Sequence, residues 1–208
     1  MITCANGAMT VRDAPSNTRT QLIESACRLF AAHGYAGASI SSIARELGLS
    51  KQALLHHFGS KGALYSLTVE QAAAAVLQLL FDAMDDDHSP EDQLEAFFAS
   101  YQQLLSARPA TGQLVLRELL DNALTTHEGR AFVTLLESLV ATVQATERWQ
   151  GAGAAGALGV VTQLIGAASL LPSAEATLNA RFGGATVETA RSQCAAISAA
   201  LVSGILRG

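Results

Sequence analysis

Along nearly the whole chain, apolar positions recur at the three- and four-residue spacing of a helix, and strand-like alternation is absent. Leu22, Ile23, Ala26, Leu29 and Phe30 share one face. They predict a first helix that starts near Ser16 or Asn17 and stops at His33-Gly34, where glycine permits a left-handed end. Ser39 reads as an N-cap for a second helix with Ile40, Ile43, Ala44 and Leu47 on its inner face, closed by Gly48. Ser50 caps a third over 51–57, and Ser60 caps a long fourth reaching about Asp85. The acidic run Asp85-Asp86-Asp87-His88 reads as a solvated break. Ser89-Pro90-Glu91 is a start signal of cap, proline and acid, and predicts a helix to about Ser106. Beyond Arg108-Pro109, helices are expected over 111–124, 128–149, 154–181 and 185–206, with Pro172 a kink or a local break in the third of these. The expected fold is all-α with about nine helices, three short ones ahead of six mostly long ones. Residues 1–16 lack periodicity and read as a disordered arm.

Charge divides the chain the same way. The net charge of −5 argues against a nucleic-acid partner until its distribution is examined. Up to Tyr65, Arg12, Arg19, Arg28, Arg45, Lys51 and Lys61 stand against Asp13, Glu24 and Glu46, and the remainder is acidic. His33, His56 and His57 also lie in the first part. A head that faces a polyanion and an acidic body fit that asymmetry. Cys4, Cys27 and Cys194 have neither metal-ligand spacing nor an even number, which suits a reducing compartment. No apolar run follows a basic start, so no secretory signal is read, and a cytoplasmic location is expected. Residues 149–174 carry no charge, but Gln150, Thr162, Gln163, Ser169, several glycines and Pro172 favour burial in protein over a membrane span.

The stretch "GLSKQALLHHFGSKGALY" concentrates donors on a very short helix. Two helices joined through Gly48-Leu49-Ser50 make a helix-turn-helix, whose second helix enters the major groove of DNA with its N-terminal residues at the base edges. Leu54 and Phe58, four apart, face inward, while Gln52, Leu55 and His56 share the opposite side, flanked by Ala53 and His57. Lys61 at the start of a helix opposes the helix dipole, a conflict a DNA phosphate would remove. A metal reading fails on spacing, because adjacent His56 and His57 point about 100° apart and cannot share an ion. No nucleophile elbow or set-apart carboxylate pair occurs. No catalytic residue, metal site or cofactor is therefore expected.

These residues carry a resemblance. "ASISSIARELGLSKQALLHHFGSKGALY", with "RTQLIESACRLFAAHGYAGAS" before it, resembles the DNA-binding region of the TetR family of transcriptional regulators over roughly residues 17–67. The resemblance implies a three-helix DNA-binding domain at 17–62 and a six-helix ligand-binding and dimerisation domain at 63–208. It further implies a homodimer on a near-palindromic double-stranded operator, released when a small molecule occupies the body. Ser39, Ser41, Ser50, Lys51, Gln52, Ala53, Leu55, His56, His57 and Lys61 are the expected DNA-facing residues. Three positions depart from the family. Leu55 stands where a tyrosine often reaches a phosphate, Gln52 where a small residue is common, and Ser42 where an acid often closes a capping box, so no box is expected. An all-helical small-molecule-binding protein with a purely structural helix-turn-helix stays open as an alternative.

In the body, Phe81, Phe97, Phe98, Tyr101, Phe132 and Trp149 are candidates to line an effector pocket, with Arg117 and Asn122 as polar anchors. The absence of a charged cluster on apolar faces favours an apolar or weakly polar effector. The stripes Leu164, Ile165, Ala168, Leu171 and Ile197, Ala200, Leu201, Gly204, Ile205 predict a close two-fold helix contact between copies rather than contact with a membrane.

Overall fold

The computed structural model describes residues 15–121 and 130–208. Asn122 and residues 1–14 of the expected arm lie outside the described residues. Among the described residues the chain forms ten helices and no strand. α1 (Pro15–Gly37), α2 (Ile40–Glu46) and α3 (Lys51–Phe58) form the head. α4 (Lys61–Ala83), α5 (Pro90–Ala107), α6 (Pro109–Asp121) and α7 (Arg130–Ala145) follow, then α8 (Gly153–Ser173), α9 (Glu175–Phe182) and α10 (Gly184–Arg207). α1 begins at Pro15, inside the expected arm, and its regular winding is interrupted at Gly34, which takes φ 69°. The tenth helix comes from Pro172. Its ring and missing N–H disrupt the last turn of α8, and the chain restarts as α9 after Ala174.

Serine caps recur at the starts predicted for them. Ser39, Ser50, Ser60 and Ser89 each accept a backbone N–H three residues on. One glutamate does comparable work from a distance: the Glu70 carboxylate receives the Ala131 N–H at the start of α7. Glu91 instead receives the Glu147 N–H at 2.7 Å in the turn that follows α7.

α4 is the hub. It packs on α1, α3, α5, α6 and α7, and buries Leu64, Tyr65, Val69, Ala72, Ala73, Val76 and Leu80 along one stripe. α8 does the same with Ala157, Val160, Val161, Leu164, Ile165 and Ala168. Both helices are long and apolar enough to cross a membrane by length and composition. Their inner faces are occupied by helices of the same chain, the bury-or-pay alternative to lipid for an apolar stripe. Interior polar groups are matched in pairs: Tyr65 donates to the Glu118 carboxylate at 2.6 Å, and Tyr101 lies 2.9 Å from the Ser169 hydroxyl.

Candidate functional site

α2 and α3 are each barely two turns long, so tertiary packing rather than propensity must hold them. Ile40, Ile43 and Ala44 of α2 and Leu54 and Phe58 of α3 are buried together against the rest of the core. Gly48 turns the chain between them at φ 67°, a conformation open to glycine, and Leu49 donates to the Ala44 carbonyl at 2.9 Å. The expected absence of a capping box is corrected here. The Ser39 hydroxyl accepts the Ser42 N–H at 3.0 Å, and the Ser42 hydroxyl accepts the Ser39 N–H at 3.3 Å, so serine's short hydroxyl does what an acid was expected to do.

With the inner face spent on packing, the outer face is a continuous set of exposed groups. Lys51, Gln52, His56 and His57 are exposed, as are Ser39, Ser41 and Ser50 at the helix starts. Ala53 and Leu55 are half-buried, and Leu55 also packs on the core. The His56 and His57 rings lie 6.1 Å apart at a steep angle, and among the described residues no group of three or more His, Cys, Asp or Glu is placed to hold a metal. Lys61 stands differently from its expected role as a phosphate contact. Its ammonium lies over the Tyr35 ring at 4.6 Å and donates to the Ala36 carbonyl at 3.5 Å, so it also ties α4 to the end of α1.

α1 braces this unit through residues that the sequence reading did not single out. Ser25 donates to the Glu46 carboxylate at 2.5 Å, and Arg28 reaches the same oxygen at 2.9 Å. The Ser25 hydroxyl, helped by Arg28, holds the Glu46 carboxyl below the ordinary glutamate range, with partial burial acting the other way. A carboxyl depressed in the folded state stabilises it above the ordinary range, and that contribution is lost as pH falls through the depressed value. Glu46→Gln is therefore expected to flatten the acid side of the stability profile and leave its neutral-to-basic shape alone. Urea midpoints measured across pH check this, and an acid limb identical to the parent's counts against the brace.

Arg117, a candidate ligand anchor, instead donates from Nε to the Ala31 carbonyl at 3.1 Å and joins α6 to α1. The other aromatic candidates are also redistributed. Phe97, Tyr101 and Phe132 are sealed in the core, Phe81 is 46% exposed, and the Trp149 indole donates to the Ile205 carbonyl at 2.9 Å. The structure places a cavity of about 680 Å³ elsewhere, between α5, the end of α8, α9 and α10. Of the ligand candidates among the described residues, only Phe98 lines it. Gln102, Arg191, Cys194 and Ser198 belong to its wall and were missed, because helices some ninety residues apart in sequence bring them together.

The dimer stripes are split as well. Leu164, Ile165 and Ala168 are buried inside the chain's own core, and Leu171 lines the cavity. The outward face of α8 is instead Leu158, Gly159, Thr162, Gly166 and Leu170, with Leu158 and Leu170 exposed and large. On α10, Ile197, Ala200, Leu201 and Gly204 do face outward, and Ile205 is half-buried.

A family model described as bacterial regulatory proteins, tetR family, matches residues 22–67. The HTH-type transcriptional repressor AcnR of Corynebacterium glutamicum is 37% identical over 68 residues, which are 33% of this chain and 36% of that protein. The HTH-type transcriptional repressor SCO4008 of Streptomyces coelicolor is 33% identical over 97 residues, 47% of this chain and 50% of that one. The chain thus matches about a third to a half of the length of these relatives. A solved TetR-like transcriptional regulator from Rhodococcus sp. RHA1 covers 95% of this chain and 100% of its own, with TM-score 0.69 and 18% identity, a likeness of fold. The matched segment holds the inner face of α1, the capped pair α2 and α3 and the start of α4, the same residues that build the exposed face, and the helical body behind it follows the same fold. Residues 22–67 of the chain match the tetR family of bacterial regulatory proteins, and the helices behind them share the fold of a TetR-like regulator.

Proposed function

We propose that this chain is a cytoplasmic transcriptional repressor, without catalytic activity, that binds a near-palindromic double-stranded operator as a homodimer and leaves it when a small molecule occupies the body. The observation that carries the reading is α3 itself, with Leu54 and Phe58 packed inward and Lys51, Gln52, His56 and His57 presented together outward. A purely structural helix pair has no need of donors gathered on one exposed face. In this reading residues 17–62 form the reading head and 63–208 the effector-binding and dimerisation body. The AcnR and SCO4008 proteins are named as transcriptional repressors, and the likeness of their segments to this head supports the same role here.

Two copies would meet through the outward apolar faces of α8 and α10, two helices that pack on one another within the chain. Small residues there, Gly159, Gly166, Ala200 and Gly204, would let helices of the second copy approach closely.

Selection from random duplex DNA, followed by mobility shifts at several salt concentrations, tests the reading. Lys51→Ala is expected to weaken all sequences alike and to lower the salt slope by about 1, as loss of one phosphate contact does. Gln52→Ala is expected to change which sequence is preferred, at roughly 1–3 kcal/mol for a well-made base contact. If neither variant alters salt slope or preference, α3 is not the reading element.

A further inference from the structure

We infer that the cavity between α5, the end of α8, α9 and α10 takes a small molecule that is mainly apolar and carries no net charge. The inference rests on the proposed function only in naming that molecule an effector. Phe98, Leu105, Leu171, Val187 and Val202 supply apolar walls, and a volume of about 680 Å³ is of the size that encloses a drug-sized ligand. Each charge in the wall already has a partner, in the wall or beside it. Arg191 is paired with Glu175 and lies 3.2 Å from Glu188, and Glu95 receives Arg207 Nε at 2.9 Å. The central amide is occupied at both ends: Gln102 donates to the Ser198 hydroxyl at 2.7 Å and accepts the Cys194 thiol at 3.9 Å.

A carboxylate entering this space must displace Glu175 from Arg191 or remain unpaired, and an ammonium must take a glutamate from its arginine. Both pairs keep contact with solvent, so the cost falls on the ligand: an ion drawn in against Phe98, Leu105 and Val202, which are buried, leaves water without a new partner. An alkyl or ring system meets apolar walls without disturbing any pair. One neutral polar group can be met as well. Ser106 donates to the Gln102 carbonyl at 3.1 Å, which leaves lone pairs on its hydroxyl to accept from a ligand alcohol.

Cys194 sits half-buried in the cavity wall and reports occupancy directly. Cys27 is an internal control, since burial pushes its thiol up to about 11 and it lies among α1 and the core. The test is the rate of N-ethylmaleimide alkylation at each cysteine, read by peptide mass spectrometry on the full chain without DNA. Decanol, decanoate and decylammonium are compared at equal concentrations. Decanol is expected to slow Cys194 alkylation roughly tenfold, and each ion by less than about twofold. Cys27 alkylation is expected to stay unchanged throughout. Equal protection by decanoate or decylammonium overturns the neutrality of the site. No protection by any of the three, or equal slowing at both cysteines, overturns the site itself. Mobility shifts on the same samples report DNA binding separately, so failure of the cavity inference is distinguishable from failure of the repressor reading.

Discussion

Ile197→Glu is expected to leave the chain folded but abolish the proposed dimer, whereas Ala168→Glu is expected to unfold the chain. The contrast follows from which way each residue faces. Ile197 on α10 is 62% exposed in the single chain, so a glutamate there meets water, and a surface change of this kind moves stability by about 0.5 kcal/mol or less. If two copies meet through this face, the same carboxylate is buried without a partner. Breaking the balance of buried charge in that way costs about 3–5 kcal/mol, or at least roughly a hundredfold in dimer dissociation. Operator affinity should fall with it, because a monomer holds one reading head rather than two. Ala168 on α8 is 3% exposed and lies against the chain's own core, so its glutamate has nowhere to go in either monomer or dimer. Light scattering over a range of concentrations and circular dichroism read the two variants. A dimer of Ile197→Glu with the parent's concentration dependence would remove α10 from the interface.

Phe30→Ala is expected to cost about 3–5 kcal/mol, a large share of the roughly 5–15 kcal/mol that holds a domain folded. Phe30 is fully buried where α1 meets α4, with its ring edge-on to Tyr65 at 5.0 Å and stacked on Tyr35 at 6.4 Å. Removing it leaves a cavity at the joint between head and body and loosens the Tyr65 ring, whose hydroxyl is bound to the buried Glu118. Phe30→Leu fills most of the space and is expected to lose less than about 1.5 kcal/mol, the usual ceiling for a nearly volume-conserving apolar swap. Urea midpoints for the pair check the argument. A loss below about 1 kcal/mol for the alanine variant would mean that the joint collapses around the gap.

The head was legible because its chemistry is local. The caps Ser39, Ser50, Ser60 and Ser89 act on N–H groups three residues away, and the turn at Gly48 needs only the backbone freedom of glycine. Leu54 and Phe58 announce the inner face of α3 by their spacing alone. The same periodicity misled in the body. Leu164, Ile165 and Ala168 do form a stripe, but a stripe says only that a face is buried, not whether the burying partner is the same chain or another.

By itself, then, the sequence determined the all-α class, most helix starts and the donor face of α3, since each depends on groups within a turn or two. Tertiary structure alone decided that the aromatic residues Phe97, Tyr101 and Phe132 are core rather than pocket, and that Arg117 serves the joint with α1. It also decided where the cavity lies, by bringing Gln102 of α5 against Cys194 and Ser198 of α10. Those contacts arise from how long helices of nearly uniform apolarity choose their neighbours. That choice depends on shape and on the pairing of polar groups far apart in sequence, neither of which leaves a local pattern.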